Sequence, residues 1–309
     1  MLDGPKVSIL MNCYNGQKYL REAIDSILNQ TYENWEIVFW DNRSDDHSAE
    51  IFKSYQDKRF KYFLAENHTD LGGGRAKAWE YLSGDLIAVL DVDDVWLPFK
   101  LEKQIPFFDD PEVGIVISDT LFFNNTSEKP LYGGKYPPIG WVFEHLMTQY
   151  YVSLETLIVR KAAVSKLARA FDPEFSAIAD FDLVVRLSRV SKLSIVPEIL
   201  AKWRVHHESD TWRYPLSFVK EKEKWITKQI SEDPEFYAKH ATAVGLFKNK
   251  NIREKVIYML CDNHRMSAIK NLLQSRFDHW HSWALLILCF LPLSSFLLAK
   301  KLKKRSDLA

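Results

Sequence analysis

Residues 86–94 run Leu-Ile-Ala-Val-Leu-Asp-Val-Asp-Asp, an apolar stretch that delivers three carboxylates to one end. On an extended chain Asp91 and Asp93, two residues apart, point to the same side. Paired hard oxygen ligands suit Mg²⁺ or Mn²⁺, above all where the ion also takes phosphate oxygens. A lone Asp-x-Asp is commonplace in surface turns; the apolar run in front of this one gives it weight. Asp94 is equally suited to capping the next turn. Two other apolar runs end in the same way. Residues 7–11 lead into Asn12-Cys13-Tyr14-Asn15-Gly16, and residues 36–40 into Asp41-Asn42-Arg43-Ser44-Asp45-Asp46. Further along stand Asp180 and Asp182 at the head of a helical run, and His206 beside His207.

The elements that must position these groups follow from periodicity. Residues 7–11, 36–40, 60–64 and 86–90 are short apolar runs bounded by turn residues, the pattern of buried strands. Between the first two, Tyr19, Leu20, Ala23, Ile24, Ile27 and Leu28 recur at helical spacing within residues 17–30. Residues 49–55 and 72–82 are two more helical segments. This alternation predicts an α/β domain with a mainly parallel sheet. Ligands of such sheets bind beyond the carboxyl ends of the strands, so the polar ends at Asn12, Asp41 and Asp91 are expected to share one crevice. Gly72-Gly73-Gly74 lacks the Lys-Ser/Thr ending of a phosphate loop and is expected to be a flexible loop beside the ligand. Residues 113–118, 154–160 and 193–196 read as strands, 179–187 as a helix, and 216–273 as amphipathic helix. A shift in composition near Tyr214-Pro215 divides the chain into 1–214, a helical region 215–276, and a tail 277–309.

Composition narrows the function classes. The chain has 309 residues, 47% of them hydrophobic, enough for one large domain with appendages. Its 41 basic and 41 acidic residues cancel, so no global charge points to nucleic acid. Cys13, Cys261 and Cys289 lie far apart without metal spacing, which fits a reducing compartment and argues against a disulfide framework. The N-terminus lacks the basic-then-apolar layout of a signal peptide.

Taken in order, these segments resemble a family 2 glycosyltransferase of the GT-A fold. Residues 5–15, Pro-Lys-Val-Ser-Ile-Leu-Met-Asn-Cys-Tyr-Asn, look like that family's first strand and nucleotide loop. Residues 19–32 are close to its first-helix consensus, and residues 84–98 are similar to its Asp-x-Asp strand and following turn. Asp180-Phe181-Asp182-Leu183 with Arg186-Leu187 looks like its acidic helix-start motif, and Trp203-Arg204-Val205-His206 resembles its aromatic-Arg-x-His element. The likeness spans roughly residues 5–210. The chain departs from the family pattern at Asn42, where a second acid is usual, at Ala76 in place of Asn, and at Ala179 in place of Glu.

The resemblance implies a nucleoside-diphosphate sugar donor bound by Asn12, Tyr14, Asp41 or Asn42, and Arg75. Asp91 would hold the donor ribose or share the metal with Asp93, and His206 would be a further ligand of Mg²⁺ or Mn²⁺. Asp180 would take the proton of the acceptor hydroxyl, so that a single displacement inverts the anomeric centre. Each assignment has a plainer reading beside it. Asp41 is a turn residue, Tyr14 core packing, Arg75 a solvated helix residue, Asp180 a helix N-cap, and His206 structural. Asp182 is expected to be second to Asp180 or to pair with Arg186 four residues on. Tyr132, Tyr136, Trp141, Tyr150 and Tyr151 are candidates for stacking on sugars and equally for ordinary core. Among rivals, a nucleotidyltransferase needs a Gly-rich, basic first loop, which residues 12–16 do not supply. A non-catalytic membrane-surface scaffold fits poorly with intact Asp91, Asp93 and Asp180. A nicotinamide dehydrogenase would carry Gly-x-Gly-x-x-Gly after its first strand.

The tail adds a membrane expectation. Residues 283–299 carry no charge, and five basic residues follow within 300–305. That length is at the short limit for a spanning helix, and Pro292 interrupts it. Trp280 and Trp283 would lie at headgroup level, with the basic cluster against anionic lipid. The expected location is the cytoplasmic face of the inner membrane, peripheral or re-entrant, with a lipid-linked glycan as acceptor.

Overall fold

The computed structural model describes residues 4–207, 213–262, 264–273 and 280–290. They belong to two compact units, Met1–Ser209 and Asp210–Ala309. In the first, β1 (Val7–Cys13), β2 (Trp35–Asp41) and β4 (Leu86–Val89) are buried at every position. Strands covered on both faces carry continuous apolar runs in place of alternation. β3 (Phe60–Leu64) is half-buried beside β2. The sheet continues through β5 (Val95–Trp96), β6 (Val113–Phe123), β8 (Ile158–Arg160) and β9 (Lys192–Arg204) in the order β3-β2-β1-β4-β8-β6-β9-β5, and β7 (Glu128–Pro130) pairs with β6 off that path.

β3, β2, β1 and β4 run parallel, so their carboxyl ends face one way. The other half is mixed: β8 is antiparallel to β4 and β6, and β9 is parallel to β6 but antiparallel to β5. Two strand expectations change. Residues 154–160 begin as a 3₁₀ turn, Leu154–Thr156, before the three-residue β8. Residues 193–196 are only the start of the 13-residue β9. Exposed Pro197 and Glu198 interrupt its apolar pattern, and the strand then resumes and carries Arg204 toward the Asp91 end of the sheet.

α1 (Leu20–Leu28) buries Leu20, Ala23, Ile24 and Ile27 on its expected stripe. They pack with Ile9, Phe39, Trp96 and Leu101 in the main core. α2 (Ser48–Lys53), α3 (Leu71–Trp79), α4 (Lys100–Gln104), α5 (Phe143–Thr148), α6 (Lys161–Val164) and α7 (Ala179–Leu187) complete the helices described in this unit. The second unit holds α8 (Pro215–Glu232), α9 (Phe236–Lys239), α10 (Ala241–Cys261), α11 (Arg265–Leu272) and α12 (Trp280–Phe290). Val256, Leu260, Ala268, Leu272, Leu285 and Cys289 join α10, α11 and α12 in a small core. Among the described residues no helix is long and apolar enough to cross a membrane. Residues 277–279 and the tail from residue 291, with Pro292 and the basic cluster, lie outside the described residues.

The amino ends of the parallel strands are fastened by one buried carboxylate. Glu36, second in β2, is 2% exposed. It accepts from Lys6 Nζ at 2.5 Å, Ser8 Oγ at 2.6 Å and Ser83 Oγ at 2.7 Å, and pairs with Lys61 Nζ at 2.7 Å. Burial pushes its carboxyl up, but Lys6, Lys61, Ser8 and Ser83 outweigh that and hold it well below the ordinary carboxylate range. Gly84 completes the fastening, because a Cβ there would lie 2.6 Å from the Ser8 amide nitrogen.

A carboxyl whose folded pKa is depressed adds stability above its unfolded pKa of about 4.3 and loses it as pH falls through that value toward the folded one. Glu36→Gln should therefore cost on the order of 1–3 kcal/mol at pH 7, toward the lower figure because both lysines are partly exposed. Urea unfolding at pH 7 and pH 3.5 checks this: the wild type should lose more stability on acidification than the variant does.

Candidate active site

The turn after β4 is built by residues far away in sequence. Its main chain closes with the Asp94 amide donating to the Asp91 carbonyl at 3.1 Å. Asp94 turns inward, 2% exposed, and its Oδ1 accepts from the Arg204 amide at 2.9 Å. Burial and the charges of Asp93, Glu155 and Asp91 push the Asp94 carboxyl well above its usual range. Arg204 returns the contact: its Nε donates to the Asp93 carbonyl at 2.8 Å, and its guanidinium lies 4.5 Å from the ring centres of both Tyr19 and Phe123. The element Trp203-Arg204-Val205-His206 is thus a clamp on the 91–94 turn. His206 ends it, with Nε2 2.8 Å from Asp93 Oδ2.

Arg75 reaches the same turn from α3. It is 2% exposed, not solvated, and its Nη2 donates to Asp91 Oδ1 at 2.7 Å. Gly72-Gly73-Gly74, expected to open the helix 72–82 and also to serve as a flexible loop, lies inside α3 behind an Asp70 N-cap that accepts from the Gly73 amide at 2.8 Å. Helical glycine costs about 1 kcal/mol relative to alanine, and close packing explains its use here. A Cβ on Gly72 would lie 1.9 Å from the Phe175 carbonyl oxygen, and one on Gly74 2.6 Å from Asn12 Oδ1. Without those glycines α3 would stand off from the end of β1, taking Arg75 with it. Asn12 is buried beside Gly74, with an Oδ1 that has no hydrogen-bond partner.

The remaining nucleotide candidates divide into walls and surface. Tyr14 is 51% exposed, so it is not core; its ring lies 4.3 Å from that of His68. Asp41 is buried and accepts from the Ser44 amide at 2.8 Å and from the Tyr62 hydroxyl at 2.6 Å, the turn-residue geometry. Asn42 is buried too. Its Nδ2 donates to the Thr69 carbonyl at 2.6 Å and its Oδ1 accepts from the Thr69 amide at 3.1 Å, so it fastens the segment that leads into α3.

Asp180 lies in the first turn of α7, where the N-cap position is held by Ile178, which makes no side-chain cap bond. It is therefore not the N-cap of the plainer reading. Its Oδ2 accepts from the Tyr150 hydroxyl at 2.9 Å. Asp182 pairs with Arg186, from Nε to Oδ1 at 2.8 Å, as the spacing of four predicts. The Asp91 carboxyl is raised by burial, pulled back by Arg75, and raised again by the charges of Asp93 and Asp180. Three carboxylates from two distant segments thus act on one another at the carboxyl ends of the strands.

Asp91, Asp93 and His206 do not meet as the three-ligand set expected from sequence. Among the described residues no three His, Cys, Asp or Glu side chains are grouped to hold a metal ion. Arg75 engages Asp91, while Asp93 and His206 meet as a pair. Sequence reasoning also passed over the buried groups behind the turn. Glu155 accepts from Ser153 Oγ at 2.8 Å, Trp96 Nε1 donates to the Glu155 carbonyl at 2.8 Å, and Lys100 Nζ stands 4.3 Å from the Trp96 ring centre. Burial raises the Glu155 carboxyl and lowers the Lys100 ammonium. Tyr150 stood out in sequence only as one aromatic among five, and nothing local marks it.

Comparison with known proteins bears on the family and the fold. The profile described as Glycosyl transferase family 2 matches residues 8–153. An uncharacterized glycosyltransferase of Methanocaldococcus jannaschii is 30% identical over 211 residues, covering 66% of this chain and 72% of its own. UDP-Glc:alpha-D-GlcNAc-diphosphoundecaprenol beta-1,3-glucosyltransferase WfgD of Escherichia coli is 35% identical over 126 residues, 41% of this chain and 50% of its own length. The mannosyltransferase PcManGT of Pyrobaculum calidifontis, solved with GDP-Man and Mn2+, shares the fold with a TM-score of 0.62 at 16% identity over 98% of this chain and 88% of its own. With the strand-end carboxylates, the α3 arginine and the β9 clamp on one α/β sheet, the chain belongs to glycosyl transferase family 2.

Proposed function

We propose that the protein transfers a sugar from a nucleoside-diphosphate sugar to a hydroxyl of a glycan acceptor, inverting the anomeric centre. One observation carries this reading: Asp180 is held by Tyr150 away from any capping role, within electrostatic reach of the Asp91 turn. Asp180 takes the acceptor proton while the acceptor oxygen bonds to the anomeric carbon and the bond to the diphosphate breaks, its electron pair leaving with the nucleotide. Arg75, Asn12, Tyr14 and Asp91 line the donor side. Asp41 and Asn42 act on the donor by holding the loops around it.

Asp93 and His206 fit a divalent ion as two neighbouring ligands. Their 2.8 Å separation approaches the edge of an octahedron, which is about 3 Å for ligands at 2.0–2.1 Å. Mg²⁺ or Mn²⁺ held there would offset the charge growing on the leaving diphosphate; PcManGT was solved with Mn2+. Donor hydrolysis screened over UDP-glucose and GDP-mannose, with each metal and with chelator, tests the reading. Release of the nucleoside diphosphate is expected; no such release, with diphosphate set free instead from UTP or GTP in the presence of a sugar 1-phosphate, would point to nucleotidyl transfer.

Asp93→Ala should lower turnover roughly 10²-fold or more and weaken nucleotide binding only when metal is present. Calorimetric titration with UDP or GDP, with and without Mn²⁺, reads this out; equal affinities under both conditions would remove the metal role.

Asp180→Asn should reduce turnover on the order of 10²–10⁴-fold, the range for a lost general base, while nucleotide binding stays intact. Equal damage to donor affinity and turnover would mark Asp180 as structural. Retention at the anomeric carbon, seen by NMR of the product, would exclude the single displacement.

We further propose a lipid-linked acceptor reached from the cytoplasmic membrane face, in keeping with the diphosphoundecaprenol substrate named for WfgD. Trp283, Ile287 and Phe290 recur on one face of α12 at 56%, 62% and 72% exposure, while Leu285 and Cys289 pack inward. The sequence beyond is uncharged to residue 299 and then basic, which suits an anionic bilayer. Removing α12 would open the small core, so substitution is the cleaner test. Ile287→Ser with Phe290→Ser should weaken sedimentation with vesicles containing anionic lipid and leave donor hydrolysis unchanged. Full retention of vesicle binding would exclude this face.

A further inference from the structure

We propose that Tyr150 is a positioning residue for the base: its hydroxyl occupies one oxygen of Asp180 and presents the other to the acceptor. The proposal rests on the reading of Asp180 as base. Asp180 sits in the first turn of α7, whose N-cap residue Ile178 has no side-chain oxygen to offer. A carboxylate there has an alternative, to fold back onto the amides of that turn and the helix dipole. Tyr150 competes by donating to Oδ2 at 2.9 Å.

The donor is held from several sides. The Tyr150 ring meets that of Phe181, the next residue after Asp180, edge-on at 5.2 Å. The adjoining chain is stapled by other tyrosines. The Tyr132 hydroxyl donates to the Tyr151 carbonyl at 2.7 Å, the Tyr132 amide to Asp119 Oδ1 at 3.0 Å, and the Tyr151 hydroxyl to the Pro138 carbonyl at 2.8 Å. A side chain fixed in this way loses little freedom when the substrate binds, which is what a positioning group requires. Burial and then the charge of Asp180 push the Tyr150 phenol well above its ordinary range, so it keeps its proton and acts as donor throughout. The charged and titratable groups that act on the pair include Arg75, Asp91 and Tyr132. In the transfer step the acceptor proton passes to Asp180, and the Tyr150 proton stays where it is.

Tyr150→Phe in the full-length protein removes the hydroxyl and keeps the ring. With UDP-glucose or GDP-mannose as the hydrolysed donor, kcat should fall about 10- to 100-fold, the weight of one hydrogen bond to a charged group. KM for the donor should stay within about twofold, since that bond is not made to the donor. Phe181→Leu disturbs the same ring packing but leaves the hydroxyl, and its kcat should stay within about twofold of wild type. Tyr150→Phe combined with Asp180→Asn should be no slower than Asp180→Asn alone. Turnover near wild type in Tyr150→Phe, a loss that falls on KM and not on kcat, or multiplied losses in the double variant, would overturn the proposal. Full activity in Asp180→Asn would instead overturn the base assignment itself, so the two failures are distinguishable.

Discussion

The hydrogen bond from the Arg204 amide to the buried carboxylate of Asp94 is the contact on which the site depends. It joins the turn after β4 to the end of β9, 110 residues away. Placing a carboxylate there is unfavourable, because it is desolvated and surrounded by other acids. The chain offsets that cost with a main-chain donor and with the Arg204 guanidinium against the Asp93 carbonyl. Once Asp94 faces inward, Asp91 and Asp93 on either side of the turn are left for Arg75 and His206.

The two ends of the parallel strands divide stability from function. At the amino ends, Glu36 is surrounded by cations and hydroxyls that more than compensate its burial. At the carboxyl ends, Asp91 and Asp94 are raised by burial and by their acidic neighbours, with Arg75 as a partial counterweight. Such a concentration of unfavourable charge is expected where a protein keeps groups ready for a ligand rather than for its own stability. A cationic guest would relieve it.

Close approach of main chain is the second condition. α3 reaches the end of β1 because Gly72 and Gly74 present no Cβ to the Phe175 carbonyl and to Asn12. Asn42 adds a latch on Thr69 just before that helix begins. The departure from the family's paired acids at this position thus has a structural use: an amide both donates and accepts, and a carboxylate cannot donate to the Thr69 carbonyl.

Much was readable from the sequence alone. The buried strands announced themselves as continuous apolar runs, α1 by its stripe, and the Asp182–Arg186 pair by its spacing of four. The convergence of polar strand ends followed from parallel topology, and the family followed from five short segments in order. All of these are local patterns or covalent order. What only the tertiary structure decided are contacts between segments. Asp93 meets His206 across 113 residues, Tyr150 meets Asp180 across 30, and β9 runs on past Pro197 to form the clamp. The three glycines carry two readings, the opening of a helix by position and a loop by composition, and the surface they pack against decides for the helix. Periodicity records which face of an element is buried; it does not record which distant element buries it, and that choice set the roles of Asp41, Asn42, Asp94 and Tyr150.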